Sequence, residues 1–357
     1  VKASRSTTWD DVSAHAGDHE STWDLDPGAA GSNWGIHRAD PPPYNRLLGP
    51  VHPRGPACGL VAVGNTIVHQ WGDIDRADLT FSIAKTYLAM LAGIAHRDGL
   101  LVDVDQPLVR SVPGIGFDQG TNRQVTWRHL LQQTSEWEGS CFGVPDQVDR
   151  YRRVSFQPIE RGESGTKGTA RPLRSPGEFW EYNDVRINQL SLALLHRFRE
   201  PLPEVFSRAL AGPAGCSPQW RWRGYDNSWI ELDGRRLQSV PGGSHWGGGI
   251  SIGARDQWRI ARLLMGDRPD VLPDDWVRAM RTPVALAPFY GYLTWLNGNR
   301  QIVPSASPAA FFAIGAGSSV IWHEPTRDLV AVIRWIEADA VDGLVSLIGK
   351  ALDGQRA

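Results

Sequence analysis

Lysine is the scarcest charged residue in this 357-residue chain. Only four of its 37 basic side chains are lysine, at positions 2, 85, 167 and 350. Cysteine is nearly absent too. Cys58, Cys141 and Cys216 are odd in number, far apart and without a Cys-x-x-Cys pair, so neither a disulfide framework nor a zinc site is indicated. Neither charge dominates: 37 basic against 39 acidic side chains leave a net charge of -2, which excludes the strong field of a nucleic-acid or membrane-surface binder. No apolar run approaches the roughly 18 residues that a membrane helix needs. No histidine pair has metal-ligand spacing. These absences point to a soluble protein whose partner is a small molecule, with no metal or other cofactor, nucleic acid or membrane expected. Oligomeric state is not encoded in these features. A cytoplasmic location is favoured; residues 1–20 are polar and unlike a signal peptide, and a leader removed ahead of Val1 is the open alternative.

What is present is a globular composition, 41% apolar and 21% charged, in a chain long enough for one large domain or two. Sixteen tryptophans, several beside glycine or charged residues, suit a core or the wall of an apolar cleft. Residues 59–63 and 66–71 read as two strands joined by a Gly64-Asn65 turn. Three more strand-like runs lie at 310–314, 318–323 and 329–336, followed by a closing helix over 341–352. Between these ends the clearest helical patterns are 125–133, 185–198 and 256–265, separated by stretches rich in proline, glycine and arginine. The expected architecture is α+β: an antiparallel sheet flanked by helices and built from both termini (1–100 and 220–357), with a mostly helical domain inserted at 101–219. Residues 153–175, charged, glycine-rich and almost devoid of apolar side chains, are expected to form a mobile loop.

The scarcity of lysine makes each one easy to judge. Ser82 and Lys85 begin a segment in which Ala84, Tyr87, Leu88, Leu91 and Ala95 repeat at helical spacing until Asp98-Gly99. This reads as an amphipathic helix. Residues three apart share a helix face, so the hydroxyl and the amine can reach each other, and a serine beside an amine is a candidate activated nucleophile. Ser164-Gly165-Thr166-Lys167 repeats the spacing without apolar periodicity, reads as a loop and carries little weight. The competing reading of Ser82 and Lys85 is a solvated pair on an ordinary helix.

The rest of the chain favours the chemical reading. Tyr182-Asn183-Asp184, introduced by Ser175-Pro176-Gly177-Glu178 and followed by an apolar helix, resembles the Tyr-x-Asn motif of serine hydrolases related to class C β-lactamases, a group that includes family VIII esterases and 6-aminohexanoate-dimer hydrolases. Val125 to Ser135 resembles that family's Thr-x-Arg-x-Leu-Leu-x-x-Thr-Ser-Gly segment. Gly242 to Ile250, followed by Ala254-Arg255-Asp256, resembles its glycine-rich stretch before an Ala-Arg-Asp helix start. With Ser82-x-x-Lys85, the four segments stand in family order over roughly residues 55 to 340. The resemblance implies a β-lactamase-like fold, a five-stranded type of antiparallel sheet flanked by helices plus an all-helical domain, with the active site in the groove between them. It also implies Ser82 as nucleophile, Lys85 as its amine partner and Tyr182 as a second proton carrier.

Two positions depart from the pattern. The asparagine of Tyr-x-Asn is Asp184, and the family's Lys-Thr-Gly is replaced by Ile314-Gly315-Ala316-Gly317-Ser318-Ser319, so the cation that would hold a β-lactam carboxylate is missing. Asp184 adds an anion that disfavours an anionic substrate unless Lys85 neutralises it. Lysine and tyrosine ordinarily titrate near about 10, so the two are expected to work as a coupled pair under burial and mutual charge. The expected oxyanion donors are the backbone N–H of Ser82 and a strand N–H at Ala316 or Gly317. Asp184, Trp137, His245 and Trp246 are candidate substrate contacts. For His245 and Trp246, a polar loop residue and an indole packed on the glycines are equally good readings. Glu136, Trp137 and Glu138, at the family's Thr-Ser-Gly turn, are candidates to rim the groove. The expected function is cleavage of an ester or amide of a small, largely uncharged substrate through an acyl-enzyme. Acyl transfer to an amine or alcohol is the alternative, followed by a β-lactamase or D,D-peptidase and by a non-catalytic binding protein.

Overall fold

A computed structural model of the chain describes residues 7–158 and 165–355. Its centre is an antiparallel sheet of six strands in the order Trp295–Leu296, Phe311–Gly315, Ser319–Glu324, Leu329–Arg334, Cys58–Val63 and Thr66–Trp71. The two ends of the chain meet at its middle, where Leu60 lies opposite Val332 and Ala62 opposite Val330. Gly64, at φ +55°, makes the tight reversal between the first two strands that the Gly-Asn pair implied. Leu329–Arg334 is buried at every position, so both faces of the sheet are covered. Helices Trp9–Asp18 and Val341–Gly354 pack together, and Ala254–Leu263 packs against the central strands. The sheet therefore has one short strand more than the five-stranded type, and it is built from both termini.

The helix that follows Ser82, Ile83–Arg97, is not amphipathic. Every residue from Ile83 to Ala95 is buried, because the helix runs between the sheet and the Asp184–Phe198 helix rather than along a surface. Gly93 makes this possible: a Cβ there would lie 2.5 Å from the Trp276 ring. The sequence pattern showed the apolar stripe but not that its polar members, Lys85 and Thr86, are enclosed as well. Residues 101–219 hold the helices Trp127–Gln132, Asp184–Phe198 and Leu202–Phe206, with long irregular stretches between them.

A second sheet of three short strands, Asp78–Leu79, Gly249–Ile252 and Arg221–Arg223, is tied to the first by Arg334. Its guanidinium, fully buried, donates to the carbonyls of Ile252 and Leu79 at 2.7 and 2.8 Å. This joint fixes the chain entering Ser82 relative to the strand Phe311–Gly315. Gly315 closes the approach, since a Cβ there would fall 2.1 Å from the Thr80 carbonyl oxygen and 3.1 Å from the Ser82 nitrogen.

Candidate active site

Ser82 stands at the start of its helix, with its side chain making no capping bond, immediately after Phe81, whose φ of +52° is strained for a residue with a side chain. Aromatic packing holds that conformation. The fully buried Phe81 ring lies 5.5 Å from Trp23, 5.5 Å from Trp34 and 6.2 Å from Trp335 between centroids. The turn leaves the Ser82 N–H without an acceptor among the described residues and directs Ser82 into a cavity of about 600 Å³.

Lys85 Nζ donates to Ser82 Oγ at 2.6 Å, as the three-residue helical spacing allows. Lys85 is 1% exposed, so its charge needs a partner, and Asp184 Oδ1 supplies one at 2.5 Å. Asp184 is the first residue of the Asp184–Phe198 helix, where the backbone dipole favours a carboxylate, and Asn183 caps that helix by accepting from Val185 N–H at 2.9 Å. Burial alone would raise the Asp184 pKa. Arg152, 2.7 Å from Oδ2, and then Lys85 overcome that effect and hold it well below the usual carboxylate range.

Tyr182 is 2% exposed and lines the same cavity. Two cations face its ring: Lys85 Nζ stands 4.7 Å and Arg152 Cζ 5.3 Å from the centroid. Trp295 and Tyr290 pack on it from the sheet side. The strand end Ile314 to Ser318 forms another wall, with Gly317 at φ +66° against the Trp335 ring. Ser82, Lys85, Tyr182, Ala316 and Gly317 are thus brought to one place. Among the thiols, burial pushes Cys58 up to about 11 and Cys216 up to about 12, so neither offers a ready competing nucleophile.

The remaining candidates, His245 excepted, fall outside the cavity lining. Trp137 does not line the cavity: it is buried edge-on to Phe117, against Gly116. Trp246 is fully buried and donates through Nε1 to Asp40 and to the Tyr44 carbonyl. Asp184 is a buried counter-ion rather than a substrate contact. Glu136 takes φ +50° where the family motif has glycine, and it is buried between Arg171 and Arg186 at 2.6 and 2.9 Å. Those ion pairs compensate the strain and keep it off the rim. Glu138 is exposed. His245 alone of this group reaches the cavity, although it is 1% exposed.

Sequence reasoning missed four residues here. Arg152 and Asp149 form an ion pair at 3.1 Å, and Asp149 also accepts from the Asp184 N–H at 2.6 Å. Lys167, set aside with the Ser164 repeat, pairs with Asp40 and lies 3.4 Å from Asp149. Ser164 itself lies outside the described residues. The stretch expected to be mobile is anchored where it is described, through Lys167, Gly168 N–H to the Arg150 carbonyl, and Arg171 to Glu136. Only the rarity of lysine could have signalled Lys167. Asp149, Asp184 and His245 cluster closely enough to hold a metal ion, but Lys85, Arg152 and Lys167 already compensate these carboxylates, which argues against a cation there.

Comparison with known proteins agrees with this geometry. The family profile described as Beta-lactamase matches residues 79–335, well over half of the chain. No curated protein sequence matches it. Among solved structures, a putative 6-aminohexanoate-dimer hydrolase from Bacillus anthracis is similar at 14% identity and TM-score 0.59, over 84% of this chain and 79% of that one. EstCE1, a hydrolase with promiscuous acyltransferase activity, is similar at 16% identity and TM-score 0.59, over 82% and 93%. A D-stereospecific amidohydrolase from Streptomyces sp. is similar at 16% identity and TM-score 0.57, over 84% and 94%. These likenesses speak for the fold, and the sequence match speaks for the family. With its Ser-x-x-Lys pair set on that fold, the chain belongs to the beta-lactamase family of serine hydrolases.

Proposed function

We propose that this protein cleaves an ester or amide of a small, largely uncharged substrate through an acyl-enzyme on Ser82. The observation that carries the reading is the position of Lys85 Nζ, 2.6 Å from the serine oxygen, in a buried pair with Asp184 beside the cavity. Ser82 Oγ attacks the carbonyl carbon while its proton passes to Lys85 or Tyr182, whichever of the two is unprotonated when the substrate is bound. The oxyanion is held by the Ser82 N–H and an N–H of the strand end at Ala316 or Gly317. Tyr182 then protonates the leaving group, and water releases the acyl group with the serine regaining its proton. Trp23, Ile36, Val154, Phe156, Trp295 and Ile314 give the cavity an apolar lining, and the strand end carries no cation in place of Lys-Thr-Gly. Among the described residues four cations also line it: Arg38 and Arg153 are exposed and therefore well solvated, while Arg152 is paired with Asp184 and Asp149, and Lys167 with Asp40.

The apolar lining favours acyl transfer as the second reading, because an amine or alcohol that excludes water from such a cavity would capture the same intermediate. The test is intact mass after fluorophosphonate treatment, for wild type and Ser82→Ala, followed by p-nitrophenyl esters of neutral and carboxylated acids with and without added alcohols. One adduct, absent from Ser82→Ala, with neutral esters turned over faster, supports the proposal. An adduct that survives Ser82→Ala overturns the mechanism, a preference for carboxylated esters overturns the substrate class, and esters of the added alcohol as main product favour transfer.

A further inference from the structure

Lys85 is held at Ser82 by Asp184, and Asp184 is held in turn. Its Oδ1 faces Lys85, while Oδ2 is shared by Arg152 at 2.7 Å and His245 Nδ1 at 3.2 Å. The other ring nitrogen of His245 lies 2.9 Å from Asp40 Oδ2. Asp40 also accepts from Trp246 Nε1 at 2.9 Å and pairs with Lys167. Burial would raise the Asp40 carboxyl, but the His245 hydrogen bond and the Lys167 charge bring it below its ordinary value. Ser82, Lys85, Asp184, His245 and Asp40 therefore form one continuous chain of polar contacts inside the protein.

The far end of this chain comes from outside the family match, which begins at residue 79. Asp40 belongs to an N-terminal segment that also walls the cavity with Trp23, Asn33, Ile36 and Arg38. Two residues before His245, a Cβ at Gly243 would lie 2.6 Å from Lys85 Nζ and 3.2 Å from the Asp184 oxygens, so the loop that carries His245 is pressed against the ion pair. A carboxylate gripped on three sides cannot rotate away from the lysine without breaking a buried charged contact.

We infer that His245 and Asp40 are positioning residues for the Ser82 reaction. Asp40, lent by the N-terminal segment, orients the His245 ring, and the Nδ1 side of that ring fixes Asp184 so that Lys85 Nζ stays on the serine oxygen. The effect is one of holding, and no proton needs to travel along the chain. The inference rests on Ser82 being the nucleophile. Asparagine at 245 places an amide N–H near the Nδ1 position and can still reach Asp184, whereas glutamine places one near Nε2 and can reach only Asp40.

The experiment compares full-length wild type, His245→Asn, His245→Gln and Asp40→Asn. It measures the rate of fluorophosphonate labelling, kcat and KM on a neutral p-nitrophenyl ester, and the urea midpoint. His245→Asn is expected to stay within about 3-fold of wild-type kcat, while His245→Gln loses about 10- to 100-fold in kcat and labelling rate with KM little changed. Asp40→Asn is expected to fall between them. Wild-type rates in both His245 variants overturn the inference, as do equal losses in both that track equal drops in urea midpoint. A wild type that takes no label overturns the Ser82 reading itself, a result distinct from labelled variants that fail to separate.

Discussion

Lys85 Nζ stands between Ser82 Oγ at 2.6 Å and Asp184 Oδ1 at 2.5 Å, so the carboxylate that replaces the family's asparagine acts as the counter-ion of the lysine beside Ser82. The anion expected to disfavour anionic substrates is thereby neutralised, with Arg152 as a second cation. Asp184→Asn restores the family residue and leaves two buried cations short of one partner. It is expected to cost about 3 to 5 kcal/mol, read as a lowered urea midpoint at pH 7. Combining it with Arg152→Met returns part of that loss. Because the folded carboxyl titrates well below its ordinary 3.8, its stabilisation is complete above that value and disappears as pH falls below it. Asp184→Asn should therefore flatten the acid limb of the stability profile.

Gly243 tests whether the placement of Lys85 sets the rate. The methyl group of Gly243→Ala would sit 2.6 Å from Nζ, and a lysine with 1% exposure has no solvent to retreat into. We expect kcat to fall about 100-fold, as for a displacement of about 1 Å at a reacting centre, with a far-UV circular dichroism spectrum like that of wild type. Unchanged kcat would show that the ammonium tolerates displacement.

Gly317 tests the strand end. Its φ is +66° and a Cβ would lie 2.5 Å from the Trp335 ring, so Gly317→Ala is strained in both backbone and packing. If an N–H of this turn stabilises the oxyanion, kcat on a p-nitrophenyl ester drops by about 100-fold or more while KM moves little. A parallel rise in KM alone would place the turn in substrate binding.

His323 lies on the sheet with its ring stacked 4.2 Å from Phe311, and burial pushes its imidazole down to about 3. Between that value and the ordinary 6.5 the unfolded chain binds a proton that the folded one excludes. Stability is therefore expected to fall as pH drops through this window, by about 1.4 kcal/mol per unit from this group. His323→Leu should remove that slope in urea titrations from pH 7 to 5. An unaltered slope would assign the acid sensitivity to other groups.

The residues legible in the sequence were those whose relation is local. Ser82 and Lys85 are three apart on one helix and the Gly64-Asn65 reversal announces its strands, whereas Tyr182 was legible only through the resemblance of its motif to a known family. Helix ends came within a residue or two because capping is local as well, as when Thr126 accepts from the His129 N–H at 3.2 Å. Asp40 and His245 are 205 positions apart, and no period or motif joins them. Trp137 misled, and Trp246 stood open between two readings, because an indole beside glycines can fill a core or line a cleft, and only the third dimension separates the two. Glu136 misled because a motif position that demands φ > 0 was filled by a residue stabilised through ion pairs with distant arginines.

The aromatic box around Phe81 has a temporal meaning. Its walls come from Trp23 and Trp34 near one end of the chain and from Trp335 near the other, and together they hold the strained turn that presents Ser82. A ribosome that has translated the serine, lysine and tyrosine has still not made the residue that completes their support. The nascent chain thus carries Ser82, Lys85 and Tyr182 long before the turn that presents the serine has its full aromatic support.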